Sequence, residues 1–443
     1  MNSYEEDLIL AREIAEKAAL KGGKTYYVGG CVRDIIMNKE PNDIDIEIFG
    51  VAEGELCEIL ESVGTLKDIT SSFEIYNLTG SNLDITLPRN SDNNEINPFV
   101  SEKEAAKRRD FTMNTVMKDV LSGEILDYFG GVDDIKNAVI RATSEDSFKN
   151  DPLRVFRMAD FCARLNFTPD EHTKELASQV DLSDLKRERV FEELKKALMK
   201  SEKPSIFFEI LRDIDGLDFW LPELKALINT EQNPKWHPEG NVWNHTMLVI
   251  NEAAKLKSEA KEPLNFMISA LFHDLGKTIA TTVKDGKIIS YGHDVKGVDL
   301  TAKAIKRLTN KKSILKYATN MTELHMRPNG YATQKSSQKA FNKLFNESIC
   351  PEDLLLLSKA DHMGRSSFSD YSATEEKLKQ ALEAYNKLMA EPYITGKALI
   401  DAGIAPDKNF SKLLDFANKL RLSEVPYESA LKQVISFAKT KSL

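Results

Sequence analysis

GGCVRDIIMNKEPNDIDIEIFG, residues 29–50, decides how the first third of this chain is built. In its second half, DIDIEIF (43–49), acidic and apolar residues alternate, the pattern of a half-buried strand. Side chains along a strand point alternately to opposite faces, so Ile44, Ile46 and Ile48 share one face and Asp43, Asp45 and Glu47 the other. Same-face neighbours stand about 7 Å apart, near enough for two carboxylates to meet one cation. LDITLPR (83–89) repeats the pattern, with Asp84 opposite Leu83, Ile85 and Leu87. If the two strands are neighbours, Asp84 joins Asp43 and Asp45. Clustered carboxylates repel one another without a cation, and an all-oxygen ligand set favours Mg²⁺ or Mn²⁺. Upstream, the β-rich run Thr25–Val28 ends in Gly29-Gly30 and a helix follows at once. Glycines allow the backbone to approach a ligand closely, and a helix N-terminus offers free N–H groups to a phosphate. Arg33 adds a cation in the first turn. A DxD alone is usually a solvated strand face; a phosphate cradle beside it points to nucleotidyl transfer.

The rest of the chain sets limits. Its 443 residues suit two to four domains, and 42% hydrophobic with 29% charged residues describes an ordinary soluble protein. No apolar run is long enough to span a bilayer, so no membrane partner is expected. The opening residues are acidic where a secretion signal would be basic. Cys31, Cys57, Cys162 and Cys350 are scattered, which argues against a disulfide framework or a zinc finger and for the cytoplasm. A net charge of −9 argues against a broadly basic surface, yet KRERVFEELKKALMK (186–200) carries six basic and three acidic residues. From about residue 151 onward the apolar spacing is almost wholly helical, and NTEQNPKWHP (229–238) reads as a boundary.

Five motifs in order give the head a family resemblance. GGCVRD followed by DID resembles the first motif of class II CCA-adding enzymes and bacterial poly(A) polymerases. KRRDFTMN (107–114), DYFGGVDDIKNAVIR (127–141), DPLRVFRMADFCARLNF (151–167) and ERVFEEL (188–194) are similar to the motifs that follow it in that family. The resemblance implies template-independent addition of C and A nucleotides to the 3′ end of tRNA from CTP and ATP. It implies Asp43 and Asp45 as Mg²⁺ ligands with Asp84 as a third catalytic carboxylate. It further implies a nucleotide pocket of Gly29, Gly30, Arg33, Asp34, Arg109, Asp110, Asn114, Asp151, Arg154 and Arg157. Helical spacing agrees in part, since Asp151, Arg154 and Arg157 recur every three residues and line one face.

A second constellation lies downstream. Five of the seven histidines fall between 237 and 325. NHTMLVINEAA puts His245 on a helix, FMISALFHDLGK puts His273 and Asp274 at the end of an apolar helix, and LLLLSKADHMGR puts Asp361 at the end of another. This set resembles the HD phosphohydrolase superfamily, with His245, His273, Asp274 and Asp361 as metal ligands. His293 and His325 are spaced like the extra ligands of its dinuclear members. Imidazole with carboxylate suits Mn, Fe, Ni or Co as well as Mg. The implied substrates are a 2′,3′-cyclic phosphate, a 2′-nucleotide or a phosphomonoester, with Lys277 on a phosphate oxygen.

The expected architecture is an α/β head with a small mixed or antiparallel sheet (1–145), a helical neck and body (146–228), a helical HD domain (229–375) and a helical tail (376–443). The tail, through 394–414, is expected to touch tRNA or a second subunit, leaving monomer and homodimer both open. Three features depart from the family pattern. Asn150 stands where Glu is usual, Thr115 where Ala is usual, and the segment between Arg89 and Arg108 is only 18 residues. A shortened loop there resembles the CC-adding specialists, so CC addition and poly(A) synthesis stand beside full CCA addition. Outside that class, a chain that is mainly an HD phosphohydrolase and a non-catalytic RNA-binding protein are the alternatives.

Overall fold

A computed structural model describes residues 3–41, 43–67, 75–90, 95–366, 370–406 and 410–440. The chain forms two compact units, Met1–Arg189 with Glu209–Gly216, and Val190–Phe208 with Leu217–Leu443.

The first unit is built on a five-stranded sheet: β1 (Lys24–Tyr27), β2 (Ile44–Phe49), β3 (Leu83–Thr86), β4 (Met117–Asp119) and β5 (Ile125–Leu126) in the order β3-β2-β1-β4-β5. Only β2 and β3 run parallel; the other pairings are antiparallel. The alternation read from the sequence sorts the two faces. Ile44, Ile46, Ile48, Leu83 and Ile85 are buried on one side, each contributing about 1.5–3 kcal/mol of hydrophobic burial. Helix α1 (Ser3–Leu20) covers β1 and β2 through Ala11, Ile14, Ala15 and Ala18. The opposite side is polar at one end and apolar at the other. There Tyr26 and Phe49 meet edge to face, under Val100, Ala105, Ala106 and Met117. Ala105 and Ala106 lie on the helix Glu102–Lys107, whose packing on Phe49 sets where the following Arg108 and Arg109 emerge.

Element ends differ slightly from expectation. β2 begins at Ile44, and Asp43 sits in the bend before it, while the helix after the double glycine, α2, already starts at Gly30 (Gly30–Ile36). β3 stops at Thr86, two residues before Pro88, which has no N–H to give a ladder. In the segment between Arg89 and Arg108, residues 91–94 lie outside the described part; Arg89 bridges to Ile96 beside them.

The second unit is helical, with one correction. The spacing from 151 onward predicted an almost wholly helical region, and the exception in this unit is an antiparallel hairpin of Thr282–Lys284 and Lys287–Ile289, which the sequence reading did not place. Its turn, Asp285-Gly286, has positive φ at both residues, as a two-residue hairpin turn requires. Five helices carry the candidate ligands: Val242–Leu256, Pro263–Phe272, His293–Leu308, Lys312–Leu324 and Pro351–Met363. Trp243, Phe266, Leu271, Phe272 and Leu357 fill the space between them. Asp353 ties three segments together, accepting from the N–H groups of Lys261 and Glu262 at 2.8 and 3.0 Å and from the Tyr317 hydroxyl. The tail helices Gly396–Asp401, Phe410–Leu422 and Tyr427–Thr440 share a cluster of Ile394, Leu399, Leu413, Ala417, Ala430 and Val434. All four cysteines are free.

Candidate functional site

The polar end of the sheet in the first unit gathers the expected carboxylates. Parallel pairing puts Asp45 directly opposite Asp84. Gly29 stands over them with φ of 67°; a Cβ there would lie 3.2 Å from Arg109 Nη1 and 3.7 Å from Asp45 Oδ2, so the position needs glycine for space and for conformation. Burial pushes the Asp45 carboxyl up to about 6, with Asp84 and Asp43 pushing the same way and Arg109 and Arg33 opposing. Asp84 is held by Asn77 Nδ2 at 2.6 Å, and Asp43 is exposed. The oxygens of these three are not drawn within 4.8 Å of one another, as the histidine groups below are. A cation between them therefore requires their oxygens to draw closer than they lie here. The donor set is all oxygen, and Asp45 is destabilised by its neighbours' charge, which is the condition a hard divalent ion relieves.

Basic side chains frame this corner. Arg109 Nη2 pairs with Glu47 Oε2 at 3.0 Å, and Arg108 lies 3.7 Å from the other oxygen of that fully buried carboxylate. Arg33 is buried, bonded to Asn114 Oδ1 (3.1 Å) and to Asp34 Oδ1 (2.7 and 3.0 Å), with donors to spare on its two terminal nitrogens. Asp110 accepts from Asn114 Nδ2 and from Arg157 Nε and Nη2 (2.8 and 2.6 Å). Burial alone would raise its pKa, but Arg157 and Asn114 hold it below the usual carboxylate range. Arg33, Arg157 and Arg164 all lie by the Phe161 ring at 5.1–5.4 Å from its centre, so one aromatic ring organises three guanidinium groups. On the expected selecting helix, Arg154 is held by Ser147 Oγ at 2.7 Å and by the Arg108 carbonyl at 2.6 Å, and Asp151 pairs with Arg189 at 3.0 Å. Sequence reasoning named Glu47 as part of the polar face but gave it no role; its acidic position in the strand repeat was the available signal.

In the second unit, all six expected ligands meet in one buried cluster. His245 Nε2 lies 3.0 Å from Asp361 Oδ1 and 3.7 Å from Asp274 Oδ2. His273 Nε2 is 3.3 Å from Asp274 Oδ2, His293 Nε2 is 3.2 Å from Asp274 Oδ1, and His325 Nε2 is 3.7 Å from that same oxygen. The cluster resolves into two ligand groups, His245-His273-Asp361 and Asp274-His293-His325, with Asp274 reaching both. Close approach of backbone makes this possible. A Cβ on Gly276 would fall 1.9 Å from the His293 carbonyl oxygen, so the glycine of HDLGK lets the His293 segment lie against it.

Hydrogen bonding fixes the direction of each imidazole. His273, His293 and His325 each hold a main-chain carbonyl three residues earlier through Nδ1, at 2.8, 2.8 and 2.7 Å. His245 Nδ1 meets Glu239 Oε1 at 3.0 Å. Those carbonyl and carboxylate oxygens only accept, so each Nδ1 carries a proton; the Nε2 lone pairs of His273, His293 and His325 then point inward, while His245 Nε2 donates to Asp361 Oδ1 at 3.0 Å. Lone pairs then face lone pairs: His293 Nε2 and His325 Nε2 are 3.3 Å apart, and His273 Nε2 has no hydrogen-bond partner. Neither Asp274 oxygen accepts a well-aligned hydrogen bond, although Lys277 Nζ lies 2.7 Å from Oδ2. Burial would raise Asp274 and Asp361, yet Lys277 and His273 hold the first, and Arg365 and His245 the second, well below the usual range. Three imidazole lone pairs and two buried carboxylates converging here, with too few donors to satisfy them, fit divalent cations.

Two positions differ from expectation. Lys277 was assigned to a phosphate oxygen, but it is buried, with its ammonium committed to Asp274 and to Gln232 Oε1 at 2.7 Å. His237 and Glu239 were not singled out; Glu239 accepts from His237 at 2.8 Å as well as from His245, and so orients a ligand from behind. The histidine crowding from 237 was the signal for them.

Family models match along the chain. Residues 25–141 match a poly A polymerase head domain, residues 166–228 the probable RNA and SrmB-binding site of polymerase A, and residues 242–365 an HD domain. The multifunctional CCA protein of Actinobacillus pleuropneumoniae serotype 5b is 33% identical over 368 residues, covering 78% of this chain and 86% of the relative. The protein of the same name from Pasteurella multocida is 32% identical over 377 residues, covering 80% and 87%. Among solved structures, a CCA-adding enzyme in its apo form I has a TM-score of 0.67 at 20% identity, covering 97% of this chain and 93% of its own. The Bacillus stearothermophilus CCA-adding enzyme in complex with CTP has 0.65 at 19%, covering 100% and 99%.

Proposed function

The chain belongs to the family of multifunctional CCA proteins, with a poly A polymerase head and an HD domain in one polypeptide, and we propose from this that it completes the 3′ end of tRNA with C and A nucleotides from CTP and ATP. The observation that carries the reading is the Asp45–Asp84 pair beneath the Gly29 turn. Divalent cations held by Asp43, Asp45 and Asp84 would neutralise the triphosphate and favour ionisation of the tRNA 3′-hydroxyl. The chain's own groups do the placing. The turn at Gly29 and Gly30 leaves room for phosphate oxygens, and Arg33 and Arg109 supply positive charge at its edge, each braced by a carboxylate. Asp110 and Asn114 fix Arg33 and Arg157 in one network. Asp151 and Arg154, at the start of the Arg154–Leu165 helix, would read the base edge of the incoming nucleotide. In this reading the division into head (1–145), neck and body (146–228), HD domain (229–375) and tail (376–443) follows function, and the tail is left to tRNA or a second subunit.

The decisive experiment offers tRNAs lacking three, two or one terminal nucleotides, with CTP, ATP or both, and reads products at single-nucleotide resolution. Full CCA ends support the proposal. Arrest after the second C identifies a CC-adding specialist, and untemplated A tracts a poly(A) polymerase.

A second activity is favoured by the buried acceptor cluster. His245, His273, Asp274, Asp361, His293 and His325 would hold two divalent cations, which supply an activated water for phosphoester hydrolysis. Hydrolysis of 2′,3′-cyclic phosphates, 2′-nucleotides or phosphomonoesters would clean a damaged 3′ end before it is rebuilt. Absence of both phosphatase and cyclic phosphodiesterase activity across Mg²⁺, Mn²⁺, Ni²⁺ and Co²⁺ ends this part of the proposal.

A further inference from the structure

The histidine–aspartate cluster is buried, so a substrate must reach it from one side. A cleft of about 510 Å³ opens beside it, with Asp361 in its wall, a size in the range of small-ligand sites. Two of its groups stand out. Arg365 Nη2 lies 3.6 Å from Asp361 Oδ2, while its buried Nε has no hydrogen-bond partner. The side chain is 25% exposed and lines the cleft, so its terminal guanidinium nitrogens, next to a candidate ligand carboxylate, suit a phosphate oxygen. Trp236 is 58% exposed in the same cleft, whereas Trp220 and Trp243 are buried. Its backbone is tethered, because Asn233 O accepts from the N–H groups of both Trp236 and His237, and His237 is anchored on Glu239. The indole is therefore presented to the cleft from a tethered backbone, with Lys235 Nζ 4.9 Å from its ring centre. Met326 gives a second exposed apolar surface, and the space beside Gly330 is open.

A base-free phosphoester would use Arg365 but has no need of an indole. We propose that this cleft is a nucleoside subsite of the HD centre, with the base stacked on Trp236 and the phosphate directed by Arg365 towards Asp361. The inference rests on the phosphohydrolase reading of the cluster and goes beyond it by naming the groups that select a nucleotide. The phosphate-facing role given to Lys277 from the sequence passes to Arg365. The same chemistry can come as a free 2′-nucleotide or as an RNA end bearing a 2′-phosphate.

The test compares kcat/KM for adenosine 2′-phosphate, for a short RNA ending in a 2′-phosphate, and for glycerol 2-phosphate, which has the ester but no base. Base–aromatic stacking corresponds to about tenfold or more in affinity. Trp236→Ala is expected to lower the nucleotide-to-glycerol ratio by about that factor, on one or both nucleotide substrates, and Trp236→Phe to restore most of it. The substrate with the larger loss identifies the form the site takes. Arg365→Gln is expected to reduce all three rates together. An unchanged ratio in Trp236→Ala overturns the subsite while leaving the phosphohydrolase reading intact. If the wild-type protein hydrolyses none of the three, that reading fails, and direct binding decides the subsite alone. Adenosine 2′-phosphate, without metal, should then quench indole fluorescence in the wild type by an amount lost in Trp236→Phe. No such difference at millimolar ligand overturns the proposal.

Discussion

Asp45 and Asp84 are register partners across the parallel β2–β3 pair, and their mutual repulsion, added to burial, holds the Asp45 carboxyl at about 6. At neutral pH the site therefore keeps two neighbouring charges that the fold alone does not balance. A cation bound there would relieve that repulsion.

Asp45→Asn should separate those two effects. Nucleotide addition to tRNA is expected to fall by about 10³-fold or more, as for loss of a group that positions the metal. Without divalent ions, the same variant should melt a few degrees higher than wild type, since about 1 kcal/mol of relieved repulsion corresponds to ~2–4 °C. Calorimetry with and without Mg²⁺ tests this; a wild type that melts above the variant in EDTA contradicts it.

The direction of the Asp45 shift gives a pH dependence. Its folded value, about 6, lies above the 3.8 of an aspartate free in solution. Between those values the native state holds more protons than the unfolded chain, so metal-free stability from this group falls as pH rises through that window. Mg²⁺ or Mn²⁺ needs the ionised form, so affinity should be about tenfold weaker at pH 5 than at pH 7. Titrations of wild type against Asp45→Asn isolate the contribution; parallel pH curves would rule it out.

Histidine removal should expose the two-group design of the second centre. His325→Ala is expected to lower tightly bound metal from two ions per chain to one, read by elemental analysis. Asp274→Asn, which touches both groups, should lower both and abolish phosphoester hydrolysis. Nucleotide addition by the same preparations serves as the check on folding.

Asp151→Ala should loosen base choice rather than stop chemistry. UTP incorporation relative to CTP is expected to rise about 10- to 100-fold, the loss typical of a missing hydrogen-bonding partner. A proportional fall with all nucleotides would assign Asp151, which pairs with Arg189, to a purely structural role.

Much of this was legible in the chain because it depends on local periodicity. Period-two alternation at 43–49 assigned Asp45 and Ile46 to their faces, and the position of His273 after an apolar helix was equally local. The hairpin at 282–289 was also marked, by Asp285-Gly286 between short β-branched runs, but helical spacing on both sides outweighed it. The sequence left open whether β3 lies beside β2; that depends on long-range pairing. Lys277 was misassigned because its ammonium turns inward to Asp274 and Gln232, an orientation set by packing. Glu239, Arg365 and Trp236 gain meaning only once Pro351–Met363 is laid against Val242–Leu256.

Three of the imidazoles take their aim from a carbonyl in their own chain segment, three residues back. Each ring is thus steered by the turn that carries it, not by the helix it faces. Drift in the contacts between helices can shift such a ring bodily without swivelling it. Substitutions in the surrounding apolar filling should consequently change how tightly ions are held well before they change which atoms point at them.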